Sequence, residues 1–113
     1  MMFEQGDFIE VSFDPSLGHE PQKSRPALVL SEGYFNNVAS SLTVVCPISS
    51  IDNKHPMHIR IREGNIVNGV ICVEQLRALD LNNRKRAVRH LGESVDEDTM
   101  SEVLSVVGAI FGI

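Results

Sequence analysis

The chain of 113 residues contains no tryptophan, one tyrosine and two cysteines. It has no apolar run long enough to span a bilayer, so we expect no membrane-spanning segment. The first residues, MMFEQGDFIEV, do not combine a basic stretch with a following apolar one, which predicts a cytosolic protein without a signal peptide. Cys46 and Cys72 each lie inside an apolar run, so we expect reduced, buried thiols.

An excess of positive charge is also missing, because ten lysines and arginines face fifteen acidic residues and give a net charge of −5. This balance argues against a general coat for nucleic acid, which would be basic. One short span is nevertheless rich in cations: Arg77, Arg84, Lys85, Arg86 and Arg89. They form either a solvated surface or a patch that faces phosphate.

No recognisable metal-ligand grouping is present in the sequence. The two cysteines have neither a Cys-x-x-Cys nor a zinc spacing. His55 and His58 are three residues apart, but Pro56 lies between them and a strand pattern follows. We therefore expect no metal site and no cofactor.

Short apolar and alternating runs predict five to seven strands. These runs are residues 7–13, 26–30, 42–48, 57–62, 70–73, 79–81 and 87–91. The first has the alternation of a half-buried strand, and the run MHIRIR at 57–62 directs His58, Arg60 and Arg62 outward. A helical turn capped by Ser31 is expected through Asn37.

The C-terminal segment changes to helical spacing. Ser94 and Glu97 have the spacing of a capping box. The apolar residues that follow are typical of an amphipathic helix: Met100, Val103, Leu104, Val107 and Ile110. We therefore predict one mainly β domain over 1–113, a small, strongly bent sheet or barrel with a terminal helix. The apolar ending AIFGI either covers the barrel or contributes to a dimer interface.

A polar loop between the first two strands gathers groups suited to an anion. His19 and Glu20 are a potential base and acid, and Arg25 is a fixed cation. Lys23 lies just before Arg25. Together these groups suit an anionic substrate such as phosphate.

Several segments resemble the MazF/PemK family of toxin endoribonucleases, also called mRNA interferases. They are Gly6–Asp7, FDPSLGHE at 13–20, RPALVLS at 25–31, CPISS at 46–50 and GVICVEQLRALD at 69–80. The resemblance implies an SH3-like β-barrel with short helices that forms a homodimer. It implies sequence-specific, metal-independent cleavage of single-stranded mRNA, which inhibits translation and growth. It also implies a partner antitoxin with an acidic, flexible tail.

The resemblance also implies roles for individual residues. Arg25 matches the essential arginine before proline, and we interpret it as a clamp on the transition-state phosphate. Ser49 matches the catalytic Thr/Ser, whose hydroxyl can donate to the scissile phosphate. His19 can serve as acid or base, and Glu20 has an orienting or catalytic role. Glu74 matches the acidic position, where it acts as base, reads a nucleobase edge or pairs with Arg77.

One position departs from the pattern. In the PemK-like branch a catalytic arginine lies two residues before the acidic residue, and this chain has Cys72 there. A cysteine cannot supply a fixed positive charge, so we assign more of the catalysis to Arg25 and Ser49. Candidate RNA contacts are Gln22, Lys23, Lys54, Gln75 and Arg77. Candidate residues for stacking on bases are Phe13, Tyr34 and Phe35.

Two other functions stay open on the sequence. One is a toxin of the same fold that binds a protein target such as gyrase, as CcdB does. The other is a catalytically inert barrel that binds RNA or a peptide, an alternative that Cys72 keeps open. The presence of Arg25 and Ser49 with the Gly18–His19–Glu20 loop favours the ribonuclease.

Overall fold

A computed structural model describes residues 3–13, 24–38, 42–81 and 86–113. The strands are β1 (Asp7–Ser12), β2 (Ser24–Val29), β3 (Leu42–Ser49), β4 (His58–Arg60), β5 (Val70–Cys72), β6 (Arg77–Asp80) and β7 (Val88–Ser94). The helices are α1 (Gly33–Val38) and α2 (Glu97–Phe111), and a 3₁₀ turn spans Val73–Gln75. The predicted mainly β fold with seven strands and a C-terminal helix is confirmed.

All strand pairs are antiparallel, in the order β4–β5–β3–β2–β1–β7. Strand β6 lies off this path and pairs with the first half of β3. Among the described strands, β4 and β7 are the two ends of this path, so the described sheet does not close. This arrangement is compatible with a barrel-like fold.

The segment from β5 to β6, which pairs with one edge of β3, contains an insertion that shapes the site. β3 pairs Ile48 with Ile71 of β5 and Val45 with Arg77 of β6. Between these two pairs β3 advances by three residues and its partner by six. The three extra residues are the 3₁₀ turn Val73–Gln75, which interrupts the edge as a bulge does and redirects its side chains.

Two apolar cores lie on opposite faces of the sheet. The first, which α2 covers, includes Phe8, Leu28, Cys46, Ile48, Ile71 and Val103. The second includes Phe3, Ile9, Val11, Ala27, Val29 and Val45. Neighbouring strand residues alternate between the two cores, as the pleat requires. The prediction that β1 is half-buried is therefore wrong: Phe8, Ile9 and Val11 are all fully buried, because both faces of the strand are covered.

The helix termini also differ from the predicted ones. Asp96, not Ser94, is the N-cap of α2, and its carboxylate accepts the Thr99 backbone N–H at 2.9 Å. Ser94 instead ends β7 and donates to Asp7 at 3.0 Å. Ser31 lies two residues before α1, and its hydroxyl accepts the Val44 backbone N–H at 2.9 Å.

The C-terminal helix buries Met100 and Val103, as predicted, but leaves Leu104, Ile110 and Phe111 partly exposed. Phe111 lines an apolar groove together with Leu30, Val44, Leu76, Leu104 and Val107. The end of the chain therefore covers part of the first core, and its contribution to a dimer stays a prediction. No helix in the described ranges is long and apolar enough to cross a membrane.

Gly69 provides a test of the packing at the end of β3. Its φ is +123°, and a Cβ atom there would overlap the carbonyl oxygen of Ser49. Gly64 also has a positive φ, +97°, but a Cβ there meets nothing within 4 Å. We expect Gly69→Ala to destabilise the fold by about 2–4 kcal/mol, backbone strain plus overlap, and Gly64→Ala by about 1–2 kcal/mol, strain alone. If urea unfolding shows equal losses of unfolding free energy for the two variants, the close approach of Gly69 to Ser49 does not restrict the residue at position 69.

The cap of α2 makes a pH-dependent contribution to stability. Hydrogen bonds from the backbone and side chain of Thr99, with a smaller effect of Arg62, lower the pKa of Asp96 below its ordinary value of 3.8. Since the pKa is lower in the folded state, the stabilisation is complete above pH 3.8 and disappears as the pH falls through the folded value.

We therefore expect Asp96→Asn to lower the Tm at neutral pH and to match the wild type in strong acid, because asparagine keeps the cap geometry without the charge. Asp98→Asn is the control, since Asp98 lies on the same helical turn and is largely exposed. A Tm difference for Asp96→Asn that is constant from pH 7 to pH 2 would contradict the assignment.

Candidate active site

Two neighbouring strands, β2 and β3, bring the proposed phosphate-binding groups to one face of the sheet. Val70 lies opposite Ser49 in the β3–β5 pair, and Val11 lies opposite Arg25 in the β1–β2 pair. The described β2–β3 pairing ends at Ala27 and Pro47, and two residues further along each strand come Arg25 and Ser49. Because side chains two residues apart share a face, Arg25 and Ser49 extend from the same side of the sheet.

Ser49 ends β3 and forms a local turn. Its hydroxyl oxygen accepts the Ile51 backbone N–H at 3.0 Å and lies 3.2 Å from the Ile51 carbonyl oxygen, to which it donates. Such a side-chain turn is typical of a serine at a strand end. The hydroxyl is thereby held at the end of β3, where a phosphate oxygen could accept its hydrogen bond in place of the Ile51 carbonyl.

Arg25 is exposed and is not neutralised within the described ranges. Most other arginines there are occupied: Arg60 pairs with Asp52 at 2.6 Å and Arg89 with Glu10 at 3.0 Å. Arg62 faces three carboxylates of α2 and its cap. Arg25 forms no such ion pair in the part of the chain that the structure describes. Among these residues, no carboxylate competes with an external anion for its guanidinium.

Glu74 lies on the 3₁₀ turn and pairs with a residue that the sequence analysis assigned to solvent. His58 Nε2 donates to Glu74 Oε2 at 3.0 Å. The His58 side chain is only 6% exposed, so the prediction that it faces outward with Arg60 is wrong. His58 lies opposite Cys72 in the β4–β5 pair, and the turn after Cys72 brings Glu74 against it.

The contacts of Glu74 set its charge state. Burial raises the pKa of its carboxyl group, but hydrogen bonds from His58, from its own backbone and from Gln75 outweigh burial and lower the pKa overall. Gln75 Nε2 donates to Glu74 Oε2 at 3.3 Å. Glu74 is therefore an ionised hydrogen-bond acceptor at neutral pH. Its alternative pairing with Arg77 does not occur.

The two cysteines are free and buried, as predicted. Burial and the neighbouring charge of Glu74 raise the pKa of Cys72, while Arg25 and the Ser49 backbone N–H partly oppose that rise. Burial, with the charges of Cys72 and Glu74, also raises the pKa of Cys46. Neither thiol is a ready nucleophile. Arg25 and Glu74 are therefore both near enough to Cys72 to act on the pKa of its thiol.

The remaining candidates for RNA contact are distributed unevenly. Gln75 is at the site through its bond to Glu74. The guanidinium of Arg77 lies 5.8 Å above the ring of Phe13, so that ring face is covered by a cation. Lys54 is exposed on the loop after Ser49. His19, Glu20, Gln22 and Lys23 lie outside the described residues.

Tyr34 and Phe35 are not near Ser49 within one chain. They lie on α1, whose Asn36 bonds to the carbonyl oxygens of Phe3 and Ser31. Ser31 in turn bonds to Val44 of β3. Val44 is five residues, or roughly 16 Å along an extended strand, from Ser49. Stacking of bases on α1 therefore has no support from the single chain.

The structure also brings together three possible metal ligands. One ring nitrogen each from His55 and His58 and one carboxylate oxygen of Glu74 lie within 4.8 Å of one another. The rings of His55 and His58 are stacked, with centroids 4.8 Å apart. In the sequence only the two histidines are close together. Glu74 comes near them because β4 pairs with β5 in the fold.

Comparisons with known proteins agree with the fold. The chain is 41% identical to the endoribonuclease toxin ChpB of Escherichia coli (strain K12) over 103 residues, covering 84% of this chain and 83% of that protein. It is 33% identical to the endoribonuclease PemK of Escherichia coli, covering 95% and 80%. The crystal structure of MazF (Form-I) from Deinococcus radiodurans superposes with a TM-score of 0.84 at 29% identity, covering 100% and 99%.

A crystal structure of MazE-MazF (Form-III) from the same organism gives a TM-score of 0.85 at 26% identity, covering 100% and 99% of the two chains. The family described as the PemK-like, MazF-like toxin of type II toxin-antitoxin systems matches residues 4–111. That match spans all seven strands and α2, together with Arg25, Ser49 and Glu74. The chain belongs to the PemK-like, MazF-like family of type II toxins.

Proposed function

We propose that this protein is the toxin of a type II toxin–antitoxin system and a sequence-specific endoribonuclease that cleaves single-stranded mRNA without a metal. The observation that supports the proposal is that Arg25, which has no ion pair among the described residues, extends from the same face of the sheet as Ser49, while the 3₁₀ turn after β5 carries the ionised Glu74. Relatives named as endoribonucleases, ChpB and PemK, support the activity. They do not favour a gyrase-directed toxin or an inert barrel.

The chemistry requires few protein groups, because the RNA carries its own nucleophile. The 2′-hydroxyl attacks the adjacent phosphorus, a bond forms between that oxygen and phosphorus, and the bond to the 5′-oxygen breaks. One proton leaves the nucleophile and another reaches the leaving oxygen. The products are a 2′,3′-cyclic phosphate and a 5′-hydroxyl. A single strand is preferred, since a duplex holds the attacking and leaving oxygens out of line.

We assign the roles as follows. The guanidinium of Arg25 binds two phosphoryl oxygens and stabilises the charge that develops on them. Ser49 donates a hydrogen bond to the same phosphate. Glu74, oriented by His58, accepts a hydrogen bond from the 2′-hydroxyl or from a base edge. His19 and Glu20 remain our candidates for moving the protons.

The same proposal covers partners and location. Solved structures of MazE with MazF from Deinococcus radiodurans support an antitoxin partner, whose acidic tail would compete with RNA for Arg25. We keep Lys23, Gln22, Lys54, Gln75 and Arg77 as proposed RNA contacts and propose a homodimer. Because mRNA is the substrate, the protein would act in the cytoplasm.

The proposed role of Arg25 has a direct test. Purified protein should cleave a long single-stranded RNA in EDTA and leave a 2′,3′-cyclic phosphate. Arg25→Ala should lower the rate about 10³-fold or more, since it removes the main transition-state cation. Arg25→Lys should restore little, because an ammonium lacks the two-pronged geometry. Arg89→Ala, which removes an exposed arginine paired with Glu10, is the control and should cleave normally. Full activity of Arg25→Ala would overturn these roles.

Ser49 is tested by removing and restoring one hydroxyl. We expect Ser49→Ala to lower the rate about 10²-fold, in the range for a lost donor to a transition-state oxyanion. Ser49→Thr should retain most activity, because threonine keeps the hydroxyl. Ser50→Ala changes the exposed neighbour and should have no effect. If Ser49→Ala and Ser49→Thr are equally impaired, the hydroxyl is not the functional group.

A further inference from the structure

Two histidines and a glutamate form a compact group at the edge of the proposed RNA site. His58 opens β4, His55 precedes it on the loop, and Glu74 comes from the 3₁₀ turn after β5. One potential ligand atom from each lies within 4.8 Å of the others. The pairing of His58 with Cys72 fixes two of the three by backbone hydrogen bonds between strands.

The chemistry of this group suits a transition metal. Imidazole nitrogens together with a carboxylate oxygen favour zinc and related divalent ions, and two histidines plus one glutamate are a known three-ligand set for zinc. A site of this kind leaves a fourth position for water. By contrast, magnesium and calcium prefer sets made only of oxygen atoms.

A second observation also points to a missing partner. Only 6% of the His58 side chain is exposed. Its Nδ1 atom is buried without a hydrogen-bond partner in the described ranges, and so is Oε1 of Glu74. Buried polar atoms are nearly always satisfied, and an ion is one established reason for an exception. Both unsatisfied atoms belong to the same histidine–glutamate pair.

Only a small movement is needed for binding. Ligand atoms of a tetrahedral zinc lie roughly 3.4 Å apart, which follows from bonds of about 2.0–2.1 Å. The separations here reach 4.8 Å. His55 is the exposed member, and one backbone hydrogen bond, from Met57 N–H to its Nδ1 at 3.0 Å, holds its ring. Rotation of the His55 ring, which among the described residues only this bond restrains through its polar atoms, would bring the three ligand atoms closer together.

We propose that His55, His58 and Glu74 bind one divalent ion of the zinc class, and that this ion inhibits RNA cleavage by occupying Glu74. The inhibition rests on the proposed function, whereas the binding does not. The ion is therefore a regulator that competes with the metal-independent reaction and not its cofactor.

Binding is tested without reference to activity. Full-length, tag-free protein stripped with EDTA and then freed of it is titrated with ZnCl₂ by calorimetry, and its Tm is measured with and without ZnCl₂. We expect one Zn²⁺ per chain and a rise in Tm. His55→Gln should weaken binding about tenfold or more, and because His55 is exposed this variant should fold normally. His90 lies on β7 and pairs with Asp7, away from this group, so His90→Gln should bind Zn²⁺ like the wild type.

Absence of 1:1 binding, or wild-type affinity in His55→Gln, would overturn the site.

A second assay measures, for each protein, the rate of RNA cleavage with Zn²⁺ divided by the rate without it. We expect a ratio well below one for the wild type and for His90→Gln, restored by EDTA, and a ratio closer to one for His55→Gln. Binding without inhibition would overturn the regulatory role alone. Binding by a protein that cleaves no RNA in EDTA would leave the site standing and overturn the proposed function.

Discussion

Strand β3 bonds to β2 along one edge and divides its other edge between β5 and β6. The chain between β5 and β6 must therefore stay beside β3, yet it has three residues more than β3 can pair. Those residues form the 3₁₀ turn that carries Glu74. The same strand ends in Ser49, and β2 beside it carries Arg25. The candidate site thus depends on how one strand shares its hydrogen bonds, and a bulge of this kind is common next to functional sites.

Much of this arrangement follows from local sequence patterns. Apolar runs predicted the strands, and helical spacing predicted α2 with Met100 and Val103 on its buried side. Local patterns did not predict contacts that depend on register. The burial of both faces of β1 depends on what packs there. The capping-box spacing of Ser94 and Glu97 predicted the wrong cap, because Ser94 bonds to Asp7 and Asp96 caps the helix. The His58–Glu74 pair joins residues sixteen positions apart, and neither alternation nor a motif indicates which residue the turn after β5 will cover.

The electrostatics reconcile an acidic protein with an anionic substrate. With a net charge of −5, the overall field repels RNA at a distance. Among the described residues, however, carboxylates pair with Arg60, Arg62 and Arg89, whereas none pairs with Arg25. Attraction is therefore confined to short range, which makes binding depend on fit more than on total charge. The same confinement would let an acidic peptide displace RNA by occupying a few cations.

The partnership of His58 with Glu74 also changes how the substitution at Cys72 should be understood. An arginine at that position would lie beside the acidic residue as a permanent cation. Here the thiol is buried and uncharged, and His58 from the neighbouring strand provides the hydrogen bond to Glu74 instead. A guanidinium offers no lone pair to a metal, but an imidazole does. Because His58 orients Glu74 through an imidazole, the group that holds this carboxylate can also bind a metal ion, which a guanidinium in its place could not.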